Sequence, residues 1–289
     1  MSKAAANTGL GPIAVVAIEQ YFPEKQRIFE DKLAHQILPS GMRIFVQLMR
    51  PESIRVWMIR LSEKDAPGIW GAMMCRKRYI DEKLIESVSQ INSVVNLGSG
   101  FDTRAYRLPA LSDMPVWEVD QHKNILLKQA RLYKIFGAIP SHVRLVSIDF
   151  DCEELDMALA SQDYSIDKRT FFILEAVTQY LTETGIKKIF DFLARAASGS
   201  HLAFSYVRKD FINGKNMYGW EKGYKKYVVK DKLWIFGMDP EDWPDFLGEY
   251  GWKVVEDIGY KELTERYITP TGRILDSTPL ERIVYAEKL

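Results

Sequence analysis

The chain of 289 residues is poor in the residues that build metal centres and disulfide scaffolds. It has two cysteines, Cys75 and Cys152, which lie far apart and form no CxxC pair. This usage argues against a zinc site and against a disulfide framework, and it is typical of the reducing cytosol. We therefore expect a cytoplasmic protein that holds no metal.

The sequence also lacks a net charge and a long apolar run. Lysine plus arginine total 39, and aspartate plus glutamate total 39. This balance gives no electrostatic reason to expect a nucleic-acid or a membrane-surface partner. The sequence contains no stretch of about 20 apolar residues, so we expect no membrane span. Hydrophobic residues make up 47% of the chain, which is enough for a large buried core. The sequence does not indicate an oligomeric state.

The middle of the chain alternates short apolar runs with helical patterns. We predict strands over 93–98, 114–120, 142–149, 170–177 and 201–207, and helices over 123–137, 151–162 and 182–198. Strands that alternate with helices predict crossover connections and a parallel sheet. A helix over 239–251, with Asp239 as its cap and Pro240 in its first turn, and an antiparallel strand pair over 251–260 and 280–289 complete the prediction.

Two glycines end the first predicted strand, in VVNLGSGFDTRAYRL (94–108). Gly98 and Gly100 allow positive φ and let the backbone approach a ligand, and ligands bind at the carboxyl ends of parallel strands. A plain tight turn is the alternative. The third glycine of a dinucleotide fingerprint would fall at Thr103, which weakens the NAD interpretation. Asp102 and Arg104 place charge where a pyrophosphate would need bare amides.

Acidic residues end the next two strands. Asp120, about 20 residues after the glycines, can accept hydrogen bonds from both ribose hydroxyls of an adenosine; a helix cap is its alternative role. Glu118 shares its face of the strand and is assigned to structure. Asp149 could accept a hydrogen bond from an adenine amino group while Phe150 supplies an apolar wall, and an N-cap is the alternative for Asp149.

The fourth predicted strand carries Glu175 within FFILEAVTQYL. A carboxylate in such an apolar setting is costly unless it is paired. A bound cation or ammonium group would satisfy it. A buried ion pair with an arginine such as Arg104 is the alternative.

Four stretches, VVNLGSGFDTRAYRL, WEVDQHKNILLKQARL, SIDFD and ILEAVTQYL, resemble the leucine carboxyl methyltransferase family. That family includes bacterial small-molecule O-methyltransferases of the tetracenomycin polyketide methylester-forming type. The resemblance runs from about 76 to 207, and it is weak in 29–38 and beyond 240. It implies S-adenosylmethionine dependence and a class I methyltransferase fold: α/β, with a mostly parallel seven-stranded sheet and helices on both faces.

The resemblance also implies site residues. In the family an arginine ahead of the first strand holds the methionine carboxylate, and CRKRYIDEKL (75–84) makes Arg76 the match, with Arg78 as the alternative. The other implied cofactor-binding residues are Gly98 and Gly100 of the glycine loop with the adjoining Asp102, Asp120 for ribose, Asp149 and Phe150 for adenine, and Glu175 near the methionine ammonium.

The whole chain, 1–289, is expected to form one methyltransferase domain. Its parts are a helical N-terminal cover (1–75), a cofactor-binding core (76–207), an aromatic-rich lid insertion (208–238) and a C-terminal helix with the antiparallel strand pair (239–289). The lid aromatics suit a flat apolar acceptor or the lid's own core. Its lysines suit an anionic acceptor or a solvated surface.

We expect an O-methyltransferase that methylates a carboxyl or hydroxyl group of a small molecule by in-line transfer. A carboxylate needs no general base, whereas a phenol or an alcohol does. His35 is the one histidine that the pattern puts near substrate, and the lack of an obvious histidine base slightly favours a carboxyl acceptor. No catalytic residue is assigned. A protein C-terminal carboxyl methyltransferase and an NAD oxidoreductase or non-catalytic adenosine-ligand binding protein are the alternatives. The Asn-Pro-Pro-Tyr type signature of base-amino methyltransferases is absent.

Overall fold

The computed structural model describes residues 9–150 and 153–289, which fold around one seven-stranded sheet. β1 to β5 pair in parallel, and β7 pairs antiparallel with both β5 and β6. The mostly parallel sheet with an antiparallel C-terminal pair is therefore confirmed. The strands are β1 (Ser93–Leu97), β2 (Val116–Asp120), β3 (Val143–Ser147), β4 (Thr170–Leu174), β5 (His201–Val207), β6 (Trp252–Ile258) and β7 (Glu281–Lys288).

The strand order is β3-β2-β1-β4-β5-β7-β6. The chain moves from β1 outward through β2 to β3, and then returns to the other side of β1 with β4. This reversal opens a crevice beyond the carboxyl ends of β1 and β4, where ligands bind in open parallel sheets.

Helices cover both faces of the sheet. Because successive residues of a strand point to opposite faces, Val94 packs in the core that holds the N-terminal helices, whereas Val95 packs in the opposite core. The helices are α1 (Leu10–Glu19), α2 (Ala34–Ile37), α3 (Ser40–Leu48), α4 (Glu52–Asp65), α5 (Ile69–Ser87), α6 (Arg104–Arg107), α7 (His122–Phe136), α8 (Leu155–Ala160), α9 (Glu183–Leu193), α10 (Lys209–Ile212), α11 (Glu221–Gly223), α12 (Trp243–Glu249) and α13 (Tyr260–Leu263).

Two helix predictions differ from the structure. The segment 239–251 begins with a 3-10 turn over Pro240–Asp242, and Asp239 makes no side-chain capping bond. The α-helix starts only at Trp243 and has Pro244 in its first turn. Pro240 and Pro244 lack a backbone N–H, so each fits only in the first turn of a helix. One continuous α-helix over 239–251 therefore cannot form. The helix predicted over 151–162 starts at Leu155, and residues 151 and 152 lie outside the described residues.

The helical cover and the lid insertion contact one another. Nε1 of Trp220 donates to the backbone oxygen of Pro67 at 2.9 Å, and Lys222 pairs with Asp65 at 2.6 Å. The lid aromatics pack chiefly among themselves: the rings of Tyr227 and Trp234 stack with centroids 4.9 Å apart. The boundary between cover and core that we expect from the sequence, at 75/76, lies inside α5.

Candidate functional site

A cavity of about 820 Å³, including the space at its mouth, lies at the crevice between β1 and β4. The loop after β1, the ends of β2 and β4, α1 and α5 all contribute to its walls. Its lining residues are Gly9, Pro12, Ile13, Arg76, Lys77, Asn96, Gly98, Ser99, Gly100, Phe101, Asp102, Asp120, Asn124, Glu175, Ala176, Val177 and Tyr180.

The two loop glycines have different structural reasons to be glycine. Both have positive φ, +72° at Gly98 and +44° at Gly100. A Cβ on Gly98 would lie 2.4 Å from Cγ2 of Val177, so the loop and the segment after β4 pack too closely for a side chain. A Cβ on Gly100 would meet no atom within 4 Å. Gly98 therefore serves close packing, while Gly100 leaves open space at the cavity wall.

The carboxylate of Asp120 ends β2 and faces the loop. Its Oδ2 accepts from the backbone N–H of Gly100 at 2.6 Å, and its Oδ1 accepts from the backbone N–H of Gln121 at 2.6 Å and from Nδ2 of Asn124 at 2.8 Å. The residue is buried yet lines the cavity. These bonds fix the carboxylate's orientation, and part of the acceptor capacity of Oδ2 remains for a ligand.

Glu175 is held by three cations. Its oxygens lie 3.1 Å from Nε of Arg76, 3.0 Å from Nζ of Lys77 and 2.7 Å from a terminal guanidinium nitrogen of Arg104. Burial raises the pKa of Glu175, but the three cations outweigh it and hold the pKa well below the ordinary value. The carboxylate is thus ionised, and the arginine pairing that was the alternative for Glu175 is present.

Asp102 is bound to the loop around it. It accepts from Nδ2 of Asn96 at 3.0 Å and from the backbone N–H of Arg104 at 2.8 Å, and it pairs with the Arg104 guanidinium. Burial raises the pKa of Asp102, while the charges of Arg104 and Lys77 lower it to about 2. Arg104 also contacts Asp81 at 2.5 Å, so the conformation of the loop after β1 depends on one ionic network.

The segment after β4 is strained. Ala176 has a φ of +56°, a conformation that costs a non-glycine residue roughly 1–2 kcal/mol. Its backbone N–H donates to Oγ of Ser205 at 3.0 Å, and the hydroxyl of Thr178 donates to the Ser205 backbone oxygen at 2.9 Å. β5 therefore holds in place the turn that presents Glu175 and Tyr180 to the cavity.

The two arginine candidates lie in different places. Arg76 lines the cavity and contacts Glu175 and, at 2.6 Å, Glu281. Arg78 points to the other side of α5, where it pairs with Glu82 at 3.0 Å and lies outside the cavity lining. The position of Arg76 supports the first of the two sequence candidates.

The two adenine candidates are not brought into the cavity lining. Asp149 is exposed at the end of β3. Phe150 packs in the core on the α9 face of the sheet and borders a separate depression beside Glu153 and Leu155. Their adenine-binding role remains a prediction.

Several lining residues were missed by the sequence patterns. Asn96, a polar residue inside a buried strand, and Asn124, four residues after Asp120, carried detectable local signals. Pro12 and Ile13 of α1 and the Arg76 partner Glu281 carried none, because their places depend on chain segments far away in the sequence.

We also compared the whole sequence with known protein families. The sequence profile described as leucine carboxyl methyltransferase matches residues 9–194, which is more than half of the chain. The chain belongs to the leucine carboxyl methyltransferase family.

Two relatives of this family member carry the name "Putative S-adenosyl-L-methionine-dependent methyltransferase". The protein from Mycobacterium avium is 28% identical over 204 residues, which cover 69% of this chain and 67% of the relative. The protein from Mycobacterium marinum is 27% identical over 266 residues, which cover 89% of this chain and 86% of the relative. The family member is an S-adenosylmethionine-dependent methyltransferase, and S-adenosylmethionine is its cofactor.

Two solved structures share the fold of this methyltransferase. A "putative methyltransferase" from Thermobifida fusca superposes with a TM-score of 0.58 at 14% identity, covering 82% of this chain and 89% of that chain. A duf574 family protein from Streptomyces avermitilis gives a TM-score of 0.52 at 14% identity, covering 82% and 91%. The class I methyltransferase fold expected from the sequence is confirmed.

Proposed function

We propose that this methyltransferase methylates a carboxyl group of a small molecule. The observation that carries the proposal concerns the described residues of the cavity wall: none of their histidine or acidic side chains is free to act as a general base. That wall includes no histidine, and its three acids, Asp102, Asp120 and Glu175, are each bound to several donors. A carboxylate acceptor is ionised near neutral pH and needs no base, whereas an alcohol or a phenol does.

The residues of the cavity suit the cofactor. Asp120 would accept from the ribose hydroxyls, since its carboxylate is already oriented, and Gly100 leaves open space beside it. Arg76 would hold the methionine carboxylate and Glu175 the ammonium group. Gly98 and Asp102 would shape the loop. Asp149 and Phe150 are proposed for adenine on the strength of the family resemblance alone.

The bound cofactor supplies a methyl group that is already activated for transfer. The protein then has to align the acceptor oxygen and exclude water. α1 covers one side of the cavity through Pro12 and Ile13, which serves the exclusion of water. Both cations of the wall, Arg76 and Lys77, pair with Glu175, so an anionic acceptor is proposed from the lid lysines of the sequence. The rings of Phe101 and Tyr180 support an aromatic one. We extend the proposal to a cytoplasmic site of action, as the cysteine usage suggests.

The test is an acceptor screen with a labelled methyl donor. Matched sets of an aromatic carboxylic acid, the corresponding alcohol and the corresponding phenol are compared. We expect label on the acid, in a form that mild base releases as methanol, because methyl esters are hydrolysed and methyl ethers are not. The rate should stay flat above about pH 6, since the acceptor is fully ionised there. Base-stable label on the alcohol or the phenol would refute the carboxyl proposal.

Two further arms distinguish the alternatives. A peptide that ends in a leucine carboxylate tests protein C-terminal methylation, and label on this peptide alone would replace the small-molecule proposal. Calorimetry with S-adenosylhomocysteine and with NAD tests cofactor choice. Binding of S-adenosylhomocysteine without turnover of any acceptor in a broad panel would indicate an adenosine-ligand sensor.

A further inference from the structure

Helices α3 and α4 of the N-terminal cover expose large apolar side chains to solvent. On α4 these recur at helical spacing as Ile54, Trp57 and Leu61, so they form one stripe. Trp57 is 63% exposed. On α3 they are Ile44, Phe45 and Leu48, of which Leu48 is 61% exposed. Apolar residues at such density on a surface mark an interaction site rather than the scattered exposure of ordinary surfaces.

These side chains are not a misplaced part of the core, because the opposite sides of both helices are already packed. Val46 of α3 and Ile59 of α4 are buried in the same core as Ile13 of α1, which lines the cavity. Arg55 fixes the turn between the helices: its guanidinium donates to the Arg50 backbone oxygen at 2.8 Å and lies 4.3 Å from the centroid of the Phe22 ring. Each apolar stripe therefore lies on a helix whose opposite side is packed in the core.

The charge around the apolar stripe of α4 is positive. Arg60 and Lys64 follow Trp57 at three and seven residues, and Arg50 precedes the helix. None of these three forms an ion pair with any described residue, and all three are exposed. By helical spacing, Arg60 and Lys64 thus lie on the same side of α4 as the tryptophan.

The acids of the segment do not neutralise these cations. Oε2 of Glu63 accepts from the backbone N–H of Gly68 at 2.5 Å, and Asp65 pairs with Lys222 of the lid. Glu52 precedes Trp57 by five residues, which places it about 140° around the helix from the tryptophan.

We propose that α3 and α4 form a docking surface for an anionic lipid bilayer. Apolar side chains with tryptophan on one side and basic residues beside them are the composition of helices that lie in a membrane interface. Each basic residue near an anionic surface contributes on the order of 1 kcal/mol. The attachment is peripheral, since no helix among the described residues combines the length and the apolar character that crossing a bilayer requires.

The charges favour a lipid surface over a second copy of the chain. A two-fold dimer would bring the same basic patch of both copies into one interface, and the excess positive charge there opposes such a pairing. The neutral net charge of the whole chain gave no reason to expect a membrane partner. Only the folded structure shows that Glu63 and Asp65 have other partners, whereas Arg60 and Lys64 pair with no described residue.

Trp57 supplies a direct probe. All seven tryptophans lie in the described part of the chain, and among them only Trp57 is exposed: five are buried and Trp234 is half-buried. Vesicles of phosphatidylcholine with phosphatidylglycerol, added to the full chain at low salt, should shift the tryptophan emission to the blue and sediment the protein. Vesicles of phosphatidylcholine alone should bind at least about tenfold more weakly, and salt should weaken binding to the anionic vesicles.

Matched variants locate the surface. Trp57→Phe should keep vesicle binding and lose the spectral shift. Trp57→Glu, and the double change Arg60→Glu with Lys64→Glu, should each weaken binding at least about tenfold. Leu126→Glu on α7, where the side chain is 51% exposed, is the control and should bind as the parent does. All of these positions are exposed, so the fold should tolerate the changes.

Three results would overturn the proposal. In the first, the protein stays in solution with every vesicle. In the second, Trp57→Glu binds vesicles as tightly as the parent. In the third, the parent would form a dimer that Trp57→Glu dissociates while no vesicle binds, and the surface would then belong to a second copy. None of these measurements depends on methyl transfer, so the outcome is separate from that of the acceptor screen.

Discussion

The backbone N–H of Gly100 donates a 2.6 Å hydrogen bond to Oδ2 of Asp120. This bond joins the loop after β1 to the end of β2, so the position of the open glycine and the orientation of the carboxylate are set together. Asn124 and the Gln121 N–H hold the other carboxylate oxygen. The edge of the sheet that faces the cavity is thereby ordered by the protein's own bonds.

Asp120→Ala should weaken S-adenosylhomocysteine binding by on the order of 2–3 kcal/mol, through loss of charge-assisted hydrogen bonds to the ribose. Some loss of unfolding free energy is also expected, because the Gly100 N–H loses its acceptor. Calorimetry and denaturant unfolding measure the two effects separately. Asn124→Ala is the control, since it removes one donor and keeps the carboxylate. Unchanged affinity with a lowered melting temperature would make Asp120 a purely structural residue.

The two loop glycines should respond differently to alanine. Gly98→Ala should lower the unfolding free energy by at least about 2 kcal/mol, because positive φ is strained and the new Cβ meets Val177. Gly100→Ala should cost only about 1 kcal/mol in stability but weaken cofactor binding about tenfold, because its methyl group occupies cavity space. Gly137→Ala has similar strain, equally open surroundings and no place in the cavity. It should leave affinity unchanged, and equal affinity losses at 100 and 137 would contradict this account.

Arg76→Lys should weaken S-adenosylhomocysteine binding by about tenfold or more, since one ammonium cannot keep the ion pairs with Glu175 and Glu281 and also bind the carboxylate, as the separate nitrogens of a guanidinium can. Adenosine lacks that carboxylate and should bind the variant and the parent equally. Arg78→Lys changes a residue outside the cavity and should alter neither affinity. Equal losses for adenosine and for the full ligand would show that Arg76 acts only through its ion pairs with Glu175 and Glu281.

Stability should fall in acid through Asp102. Its folded pKa of about 2 lies below the ordinary 3.8, so the carboxylate adds stability above about pH 4 that is lost as the pH falls towards 2. The gap corresponds to about 2 kcal/mol. Urea unfolding of the parent and of Asp102→Asn, compared from pH 6 downward, should show their difference in unfolding free energy shrinking below pH 4. A difference that is constant with pH would mean that Asp102 titrates normally in the folded protein.

Local sequence patterns predicted most of the fold and part of the site. Alternating apolar runs and helical spacing gave the strands, since these periods follow from the geometry of the elements themselves. The strand-end position of Asp120 and the paired glycines pointed to the ligand edge for the same reason. The predicted helix over 239–251 was wrong in its first turn, where two prolines act on the backbone more strongly than the apolar spacing.

The sequence by itself determined the parallel sheet, the glycine loop and the acids at the strand ends, because these depend on residues that are neighbours in the chain. Only the tertiary structure decided that Glu281, 205 residues away, pairs with Arg76, and that α1 closes one side of the cavity. Only the folded chain leaves Trp57 exposed beside Arg60 and Lys64, which form no ion pair with any described residue. Such contacts arise where packing brings distant segments together, and neither periodicity nor composition records which distant charges will meet.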